Sequence, residues 1–450
     1  MTAGTELLTP QQMQQVDDTC GIPITTLIER AGLAVAEEIV RRYGARKTVV
    51  LCGPGNKGRD GAVAARHLQS WGWPVSLSHD IGNAELIIDA LYGSGLNRDF
   101  PHSLADAINS AGVPIVSIDV PSGLDGLTGH QRGGSVKANL TITFFRMKPG
   151  HLLLPGKTLC GEVVVRDIGI PSDALRGKNI TIWENVKPKL PTLSAEGHKY
   201  QRGHALIISG NKFQTGASRL AASAALKIGA GLVTIGGTAD ALLVHASHLT
   251  AVMLAETKTT NELTKILEDK RINVVCIGPA AGVGPKTAKN VKAVLKCGAA
   301  VVLDADAITS CSGNPKLMFN WINAISNRPV VMTPHEGEFA RIFDSAPVSK
   351  LERARAAAKL SGAIIILKGA DTVIAHPDGR AKINTNAPPS LATAGSGDVL
   401  SGLVTGLLAQ GIDGFEAACA AVWLHGDAAN RCEGSTFTAE DLLTKIGQTQ

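Results

Sequence analysis

The feature that most constrains the fold of this 450-residue chain is an alternation of short apolar runs with longer segments of helical period. Apolar runs separated by helix-length segments indicate parallel strands joined by crossover helices, which is an α/β architecture. In the first part of the chain we predict strands over residues 48–52, 74–78, 85–91, 115–120, 140–145 and 163–167. Helices are predicted between some of these strands, over residues 24–42, 61–71 and 103–111.

A polar tract at residues 184–203, which contains Pro188 and Pro191, interrupts this alternation. We therefore predict a linker at residues 187–203, with one domain at 1–186 and a second at 204–450. The second domain is predicted to have strands near residues 204–209, 274–277, 300–303, 330–332 and 364–367, a hairpin at 372–375 and 381–384, and helices at 397–410 and 415–430. No repeat relates the two halves, so we expect two different folds with different roles.

Composition and charge exclude several classes of protein. Apolar residues make up 44% of the chain and charged residues 18%, which excludes disorder caused by low hydrophobicity. The net charge of +5 is spread without basic runs, so we expect no nucleic-acid partner. The eight cysteines form no C-x-x-C pair, which indicates reduced thiols. No signal peptide or membrane span is predicted. We expect a cytoplasmic homo-oligomer that does not bind membranes.

A glycine-rich segment follows the first predicted strand. Gly53, Gly55 and Gly58 spell G-x-G-x-x-G, and Asp80 lies 22 residues after Gly58, as in a dinucleotide fingerprint. The same glycines are compatible with a tight strand-to-helix turn that binds nothing. The polar side chains of residues 56–60 are unlike a cradle in which bare backbone holds a pyrophosphate. We therefore predict contact with a nucleotide, but not the hydride transfer of a dehydrogenase.

Two aspartates follow later strands of the first half. Asp89 and Asp119 each lie near the end of an apolar run, and a loop that contains glycine follows each of them. Ligands of open α/β sheets bind at this edge of the sheet. An aspartate at such a position also serves often as a cap or turn former. Because two of them accompany the glycine-rich segment, we predict a site where these loops converge.

The second half carries a pattern typical of phosphoryl transfer. Gly395 and Gly397 precede a helix of small and apolar residues, where backbone N–H groups can approach an anion. Asp398, in the first turn, can accept a proton from a reacting hydroxyl. Lys368 ends an apolar strand in a Lys-Gly loop that suits nucleotide phosphates, and His335 lies between a strand and a helix. We predict a phosphoryl-transfer site formed by these residues.

Several motifs of the first half carry a family resemblance. They are residues 9–13, 27–32, GPGNKGRDG at 53–61, IIDALYGSGL at 87–96, SIDVPSGLDGLTG at 117–129, and 141–144 with 148–150. Together, over about residues 7–170, they resemble the YjeF-type epimerase domain of NAD(P)H-hydrate repair proteins, a Rossmann-like three-layer fold. The resemblance implies a pocket that binds a hydrated nicotinamide nucleotide and K⁺ and equilibrates the R and S epimers of the hydrate.

Site residues follow from this resemblance position by position. It implies that the substrate is bound by Asn56, Lys57, Gly58, Arg59, Asp60, Gly93, Ser94, Gly95, Leu96, Asn97, Arg98, Asp99 and Asp119. Asp119 is the candidate catalytic proton carrier, because loss of hydroxide from the hydrated carbon needs proton transfer. Asp89 and Ser122 are the implied potassium ligands.

This chain departs from the family in the same region. The family sequence Asn-Asn-Gly-Gly-Asp is here Asn56-Lys57-Gly58-Arg59-Asp60, so Lys57 replaces an asparagine that binds potassium. Either the lysine ammonium occupies the cation site itself, or the site no longer functions. Residues 73–85 also form a shorter segment than in the family. Whether the first half retains epimerase activity is left open by the sequence.

The second half, over about residues 197–445, resembles the ribokinase-like NAD(P)H-hydrate dehydratase domain. The motifs are residues 215–217, 278–282, 303–307, 332–338, 366–372 and 384–402, with Ala280 where the family commonly has glycine. The resemblance implies dehydration specific for the S epimer that uses ADP with Mg²⁺ and releases AMP and phosphate. It implies that Ala217, Gly282, His335 and Asp398 bind the hydrated dinucleotide, and that Lys368, Gly369, Ala370, Asp371, Thr372 and Gly397 bind the adenine nucleotide, with Asp398 as the base.

Three alternative functions are compatible with these patterns. The chain could be a ribokinase-like kinase of small molecules with an accessory first domain, or an NAD-dependent dehydrogenase that uses the glycine-rich segment. A degenerate first domain that only binds a nucleotide is the third. We favour a bifunctional repair enzyme that acts on NAD(P)H hydrate, because the family pairs these two domains around one substrate.

Overall fold

The computed structural model describes residues 4–191, 198–343, 349–432, 434 and 436–447. Its chain contacts divide the protein into two compact units, Met1–Glu184 and Asn185–Gln450, which are described separately below. The predicted linker at 187–203 begins just after this division, and its residues 192–197 lie outside the described part. The predicted domain limits therefore remain predictions. None of the helices in the described ranges has the length and apolar character needed to cross a bilayer.

The first unit is built on a parallel sheet. Its helices are α1 (Pro10–Thr19), α2 (Ile24–Arg42), α3 (Asn56–Ser70), α4 (His102–Asn109) and α5 (Gly156–Leu159). Its strands are β1 (Thr48–Cys52), β2 (Val75–Leu77), β3 (Leu86–Ala90), β4 (Ile115–Ile118), β5 (Leu140–Phe144) and β6 (Glu162–Arg166), and β7 (Ile182–Asn185) lies at the division between the units. The sheet has the order β2-β1-β3-β4-β5-β6, and neighbouring strands are parallel.

Alternate residues of the central strands fill opposite faces of this sheet, as the twofold period of a strand requires. Val50 and Ile88 belong to a buried cluster shared with α2 and α3. Val49, Leu51 and Ile87 belong to a second cluster, shared with α4. Helices therefore cover both faces, and the predicted three-layer α/β fold of the first half is confirmed.

One boundary in this unit differs from the prediction. Helix α3 begins at Asn56 and not at residue 61, so the polar residues 56–60 form its first turns and the prediction of a loop there is wrong. Gly58 is a poor helix former in isolation. A Cβ on Gly58 would lie 1.8 Å from the carbonyl oxygen of Gly53. This close approach of backbone to backbone requires glycine, so tertiary packing overrides local propensity.

The second unit contains a larger mixed sheet. Its helices are α6 (Gly216–Lys227), α7 (Ala239–Ala246), α8 (Thr260–Ile266), α9 (Pro285–Lys296), α10 (Ala305–Ser310), α11 (Pro315–Asn323), α12 (Glu336–Ile342), α13 (Lys350–Ser361), α14 (Ser396–Ala409), α15 (Gly414–Asn430) and α16 (Ala439–Lys445). Its strands are β8 (His204–Ile208), β9 (Leu232–Gly237), β10 (Met253–Glu256), β11 (Ile272–Ile277), β12 (Ala300–Leu303), β13 (Val330–Met332), β14 (Ile364–Leu367), β15 (Val373–Ala375) and β16 (Ala381–Asn384). Short 3₁₀ turns lie at Pro149–His151 and Ser172–Leu175 in the first unit and at Lys199–Arg202 and Pro389–Leu391 in the second.

The strands of this unit follow the order β10-β9-β8-β11-β12-β13-β14-β15-β16. Pairing is parallel from β10 to β14, and β14 to β16 are antiparallel. Helices α14 and α15 are apolar on almost every side and are buried in the core of the unit. The predicted second α/β fold is confirmed. The carboxyl ends of parallel strands meet at one edge of the sheet, and the loops that carry the predicted site residues lie at this edge.

Candidate active sites

A cavity of about 670 Å³ opens in the first unit beside the carboxyl ends of β1, β3 and β4. Most of the predicted substrate residues line it: Asn56, Lys57, Asp60, Gly93, Ser94, Gly95, Leu96, Asn97, Arg98 and Asp119. Gly58, Arg59 and Asp99 are not among the lining residues. Gly58 is buried in α3, and the side chains of Arg59 and Asp99 are exposed. Asp17, on α1, and Lys148, after β5, also line the cavity.

Asp119 is held as a carboxylate by its neighbours. The ammonium group of Lys148, which is buried, donates to Asp119 Oδ1 at 2.5 Å and to Thr143 Oγ1 at 2.8 Å. The backbone N–H of Ser94 donates to Asp119 Oδ2 at 2.9 Å. Burial favours the neutral acid, but Lys148 and Ser94 outweigh it and lower the pKa of Asp119. Asp119 also has a φ of 65°, a conformation uncommon outside glycine that is often found at functional sites.

Two other carboxyl groups in the same cavity show the opposite tendency. Burial, together with the negative charges of Asp119 and Asp17, raises the pKa of Asp60 well above its ordinary value. Burial likewise raises the pKa of Asp17 to about 6, although Lys148 opposes the shift. The cavity therefore combines a carboxylate of lowered pKa with two carboxyl groups that hold their protons to higher pH than an ordinary aspartate does.

The predicted potassium ligands surround the side chain of Lys57. Its Nζ atom lies 3.1 Å from Asp89 Oδ2 and 3.1 Å from Ser122 Oγ. It also lies 3.0 Å from the carbonyl oxygen of Tyr92 and 2.7 Å from that of Val120. We call these four oxygen atoms the oxygen cage. Because Nζ occupies the space between them, a potassium ion does not fit the cage.

The dinucleotide fingerprint has a structural explanation in this unit. A Cβ on Gly53 would lie 1.8 Å from the carbonyl oxygen of Leu91, so Gly53, like Gly58, permits close packing of backbone. Asp80 is exposed in the turn after β2, where its carboxylate accepts from the N–H of Gly82, and it does not line the cavity. The geometry does not favour the dehydrogenase alternative.

The candidate site of the second unit is organised around Asp304, which is buried directly after β12. Asp304 Oδ1 accepts from Thr333 Oγ1 at 2.7 Å and from Lys368 Nζ at 3.2 Å. Asp304 Oδ2 accepts from Ser401 Oγ, in the second turn of α14, at 2.7 Å. This carboxylate therefore joins the ends of three strands to the start of α14, and it brings the predicted Lys368 close to the predicted Asp398.

Asp398 lies in the first turn of α14. Burial and the negative charge of Asp304 raise the pKa of Asp398 to about 7, although Lys368 opposes the shift. Lys368 stays cationic, because Asp304 and Glu338 outweigh burial and raise its pKa. A base with a pKa near 7 beside a fixed cation suits proton removal from a hydroxyl at neutral pH. The positively polarised start of the helix lies in the same place.

The predicted nucleotide loop is braced by a residue that the sequence analysis did not identify. Lys350 Nζ donates to Asp371 Oδ1 at 2.7 Å and to the carbonyl oxygen of Lys368 at 3.1 Å. Within the loop, the Gly369 N–H donates to Thr372 Oγ1 at 3.1 Å. Ala370 lies between these contacts. The loop is thus held in shape by Lys350 and by contacts within the loop.

The other predicted residues of this unit have different surroundings. A Cβ on Gly397 would lie 3.5 Å from Lys368 Nζ, so Gly397 lies beside the cation. The Gly282 N–H donates to Asp306, whose charge acts on Asp398. Ala217 lies half-buried in the first turn of α6.

His335 caps helix α12. Its Nδ1 atom accepts from the N–H groups of Gly337 at 2.9 Å and Glu338 at 3.3 Å. This cap leaves the proton of the neutral ring on Nε2, which lies 3.3 Å from Glu338 Oε1. The side chain is 55% exposed, so a ligand can reach it, but substrate contact by His335 stays a prediction.

Both halves of the chain match known protein families. A family model described as NAD(P)H-hydrate dehydratase matches residues 205–449, and one described as YjeF-related protein N-terminus matches residues 24–80 and 73–150. The bifunctional NAD(P)H-hydrate repair enzyme of Moorella thermoacetica is 34% identical, over 97% of this chain and 95% of its own. The enzyme of the same name from Archaeoglobus fulgidus is 33% identical, over 98% of each chain. The chain belongs to the family of bifunctional NAD(P)H-hydrate repair enzymes.

Solved structures resemble the second unit of this repair-family protein. A ribokinase-like superfamily protein from Enterococcus faecalis is 26% identical, has a TM-score of 0.50, and matches 57% of this chain and 89% of its own. The ADP/ATP-dependent NAD(P)H-hydrate dehydratase of Bacillus subtilis, co-crystallised with ATP and Mg²⁺, is 29% identical, has a TM-score of 0.49, and matches 57% of this chain and 92% of its own. The ribokinase-like fold predicted for the second half is confirmed.

Four residues of these repair-family sites were missed by the sequence analysis as site residues. Lys148 and Asp304 carry a usable signal, because each is a charged residue that closely follows a buried strand. Asp17 and Lys350 lie on helices among other polar residues, where nothing in the sequence distinguishes them. Their roles depend on which elements the fold brings together.

Proposed function

We propose that this chain repairs hydrated NADH and NADPH in two steps. The first unit exchanges the R and S epimers of the hydrate, and the second unit dehydrates the S epimer at the expense of ADP, which releases AMP and phosphate. The observation that supports this proposal most directly is the group formed by Asp304, Lys368 and Asp398 at the start of α14. It combines a base, a fixed cation and a helix N-terminus, which phosphoryl transfer to a hydroxyl requires.

The dehydration is proposed to begin with activation of a poor leaving group. Asp398 removes the proton of the substrate hydroxyl, whose oxygen attacks the terminal phosphorus of ADP, and AMP departs. The carbon–oxygen bond of the phosphate ester then breaks with loss of phosphate. Loss of a proton from the neighbouring ring carbon restores the double bond of NAD(P)H. Lys368 balances the charge that develops on the phosphates.

The same proposal assigns the ligands of the second unit. The hydrated dinucleotide contacts Ala217, Gly282, His335 and Asp398, and the adenine nucleotide contacts residues 368–372 and Gly397. Within the described ranges, no group of three or more His, Cys, Asp or Glu side chains is arranged to hold a metal. Mg²⁺ therefore fits best as an ion carried mainly by the phosphates of the nucleotide, where it neutralises their charge.

The epimerisation is proposed to divide acid and base between two carboxyl groups. Asp60, whose pKa is raised by burial, donates its proton to the departing hydroxide, and water forms. Asp119, which is ionised, accepts a proton from the water that adds to the opposite face of the ring. Both groups line the cavity, so both can reach a ligand there. The remaining predicted residues that line the cavity, Asn56 and residues 93–98, are proposed to hold the nucleotide.

The decisive experiment is chromatographic. A mixture of R- and S-NADPH hydrate is incubated with the protein and ADP, and both peaks are followed against an enzyme-free control. We expect both peaks to disappear, with the R peak falling faster than its spontaneous conversion. Loss of the S peak alone would contradict the epimerase assignment. If neither peak changed while ATP and a sugar or pyrimidine gave a phosphorylated product, the kinase alternative would replace the proposal.

A further inference from the structure

We propose that the side chain of Lys57 is a built-in monovalent cation, so that the first unit of this protein needs no potassium ion. The oxygen cage consists of one carboxylate, one hydroxyl and two backbone carbonyl oxygens, all 2.7–3.1 Å from Nζ. Carbonyl oxygens at a fixed distance are also what replaces the hydration shell of K⁺ in proteins. The ammonium thus occupies a site with the chemistry of a potassium site. This inference does not depend on the proposed epimerase activity.

All four cage oxygens lie within hydrogen-bond distance of Lys57 Nζ, which shares its three hydrogens among them. The carbonyl groups of Tyr92 and Val120 have no hydrogen to donate. The hydroxyl of Ser122 lies 2.5 Å from Asp89 Oδ1, which takes its only hydrogen, and the same hydroxyl accepts from the N–H of Tyr92 at 2.9 Å. It therefore turns a lone pair toward Nζ. Four acceptors without a donor favour a cation at the centre; burial lowers the pKa of Lys57, and the negative charge and hydrogen bond of Asp89 oppose that shift.

A second cation is excluded from the cage because the cage has no free space and its negative charge is already balanced. The side chains of Lys57 and Asp89 are 4% and 0% exposed, so no water layer separates them from the protein. Asp89 carries the one negative charge among the four ligands, and the ammonium already balances it. Its carboxylate is further fixed by Ser117 Oγ and the Ser122 N–H, each at 2.8 Å. A potassium ion would have to displace the lysine to enter.

The lysine also joins elements that shape the cavity. Lys57 is the second residue of α3, and its Nζ reaches the carbonyl groups of Tyr92, which follows β3, and Val120, which follows β4. The loop that begins at Tyr92 continues into residues 93–98, which line the cavity. Lys57 is therefore a positioning residue: it orders the loop as a bound ion would.

The test uses the full-length protein and measures its melting temperature in KCl and in choline chloride of equal ionic strength. We expect the same melting temperature for the parent in both salts. Lys57→Asn empties the centre of the cage, so in choline its melting temperature should fall by on the order of 10 °C, and K⁺ should restore much of the loss. Lys57→Met fills the same space without a charge, so it should be destabilised in both salts. The exposed Lys137→Asn should behave as the parent does.

A second measurement keeps the proposal falsifiable if a variant fails to fold. Crystals of the parent soaked in RbCl should show no anomalous peak beside Asp89, whereas crystals of Lys57→Asn should show one between Asp89 and Ser122. A rubidium peak in the parent, or stabilisation of the parent by K⁺ but not by choline, would overturn the proposal. A folded Lys57→Asn that responds equally to both salts would do so as well. Because these readouts do not use turnover, a silent epimerase would leave the result interpretable.

Discussion

Single residues in this protein owe their chemistry to their immediate neighbours. Asp119 and Asp398 both follow from sequence patterns, yet their surroundings drive them in opposite directions. Lys148 contacts Asp119 directly and keeps it ionised. Burial and the negative charge of Asp304 raise the pKa of Asp398 to about 7, because Lys368 bonds to Asp304 and only partly offsets them. The two carboxyl groups therefore suit different steps.

The raised pKa of Asp398 predicts a pH dependence of dehydration. Only the carboxylate accepts a proton, so the rate with S-NADPH hydrate and ADP should rise with pH up to about 7 and level off above it. Asp398→Asn should lower the rate by about 10²–10⁴-fold at every pH. Initial rates between pH 5.5 and 8.5 test this. Asp378→Asn, in the exposed turn between β15 and β16, is the control, and a pH-independent rate in the parent would contradict the assignment.

The opposite ionisation of Asp60 and Asp119 predicts two distinct defects in epimer exchange. Asp60→Asn removes the proton donor, and Asp119→Asn removes the carboxylate that balances the charge of Lys148. Each should slow R-to-S exchange by about 10²-fold or more. Because the buried Asp60 loses its proton as pH rises, exchange by the parent should decline toward alkaline pH. Measuring R-to-S exchange in the absence of ADP checks this. Full activity of Asp60→Asn would mean that Asp119 alone transfers the proton.

A strained alanine predicts a gain of stability. Ala280 has a φ of 50°, in the left-handed region, where the family commonly has glycine. That conformation costs alanine roughly 1–2 kcal/mol, part of which is offset by the greater freedom of glycine in the unfolded chain. Ala280→Gly should therefore stabilise the protein by about 0.5–1 kcal/mol. Urea unfolding measures the change, and Ala281→Gly, with ordinary φ, should destabilise instead.

At the scale of secondary-structure elements, the start of α3 depends on backbone packing. A Cβ on Gly58 would meet the Gly53 carbonyl oxygen at 1.8 Å, whereas a Cβ on Gly55 would meet nothing within 4 Å. Gly58→Ala should therefore cost about 1–3 kcal/mol of folding free energy. Gly55→Ala meets no clash and should cost less, about 0.5–1 kcal/mol, because glycine is preferred to alanine at the N-cap. Thermal unfolding compares the two variants. Equal stabilities would show that α3 can shift without penalty.

Elements were predictable where local pattern and tertiary environment agree. The runs at 300–303, 330–332 and 364–367 are continuously apolar because β12, β13 and β14 are buried on both faces. Strand β10 was not predicted, because it lies at the edge of the sheet and its residues, MLAE, are partly exposed. The start of α3 was misplaced because Gly58 and Gly61 weaken the helical signal, and the sequence does not reveal which backbone they approach.

At the scale of the whole molecule, the two units carry complementary steps on one substrate. Each site is formed by residues of its own unit, so an intermediate released by one chain can serve another. We therefore expect that Asp119→Ala alone consumes the S epimer with ADP while the R epimer falls only at its spontaneous rate. Asp398→Ala alone should exchange the epimers without loss of total hydrate.

An equimolar mixture of these two variants should consume both epimers, and chromatography of each peak with ADP present measures this. A mixture that still left the R epimer at its spontaneous rate would mean that the intermediate must pass within one chain. The parent at the same total concentration provides the reference rate.

The oxygen cage has a consequence for the protein in a changing environment. A bound ion is in equilibrium with the solution, so its occupancy follows the ionic composition around it. A cation tethered through the backbone of α3 has an effective concentration fixed by the chain, and dilution cannot remove it. The entropic cost of placing the charge is met once, during folding. The loop that begins at Tyr92 thus stays ordered in a medium poor in potassium, and potassium loses any influence as a regulator of this unit.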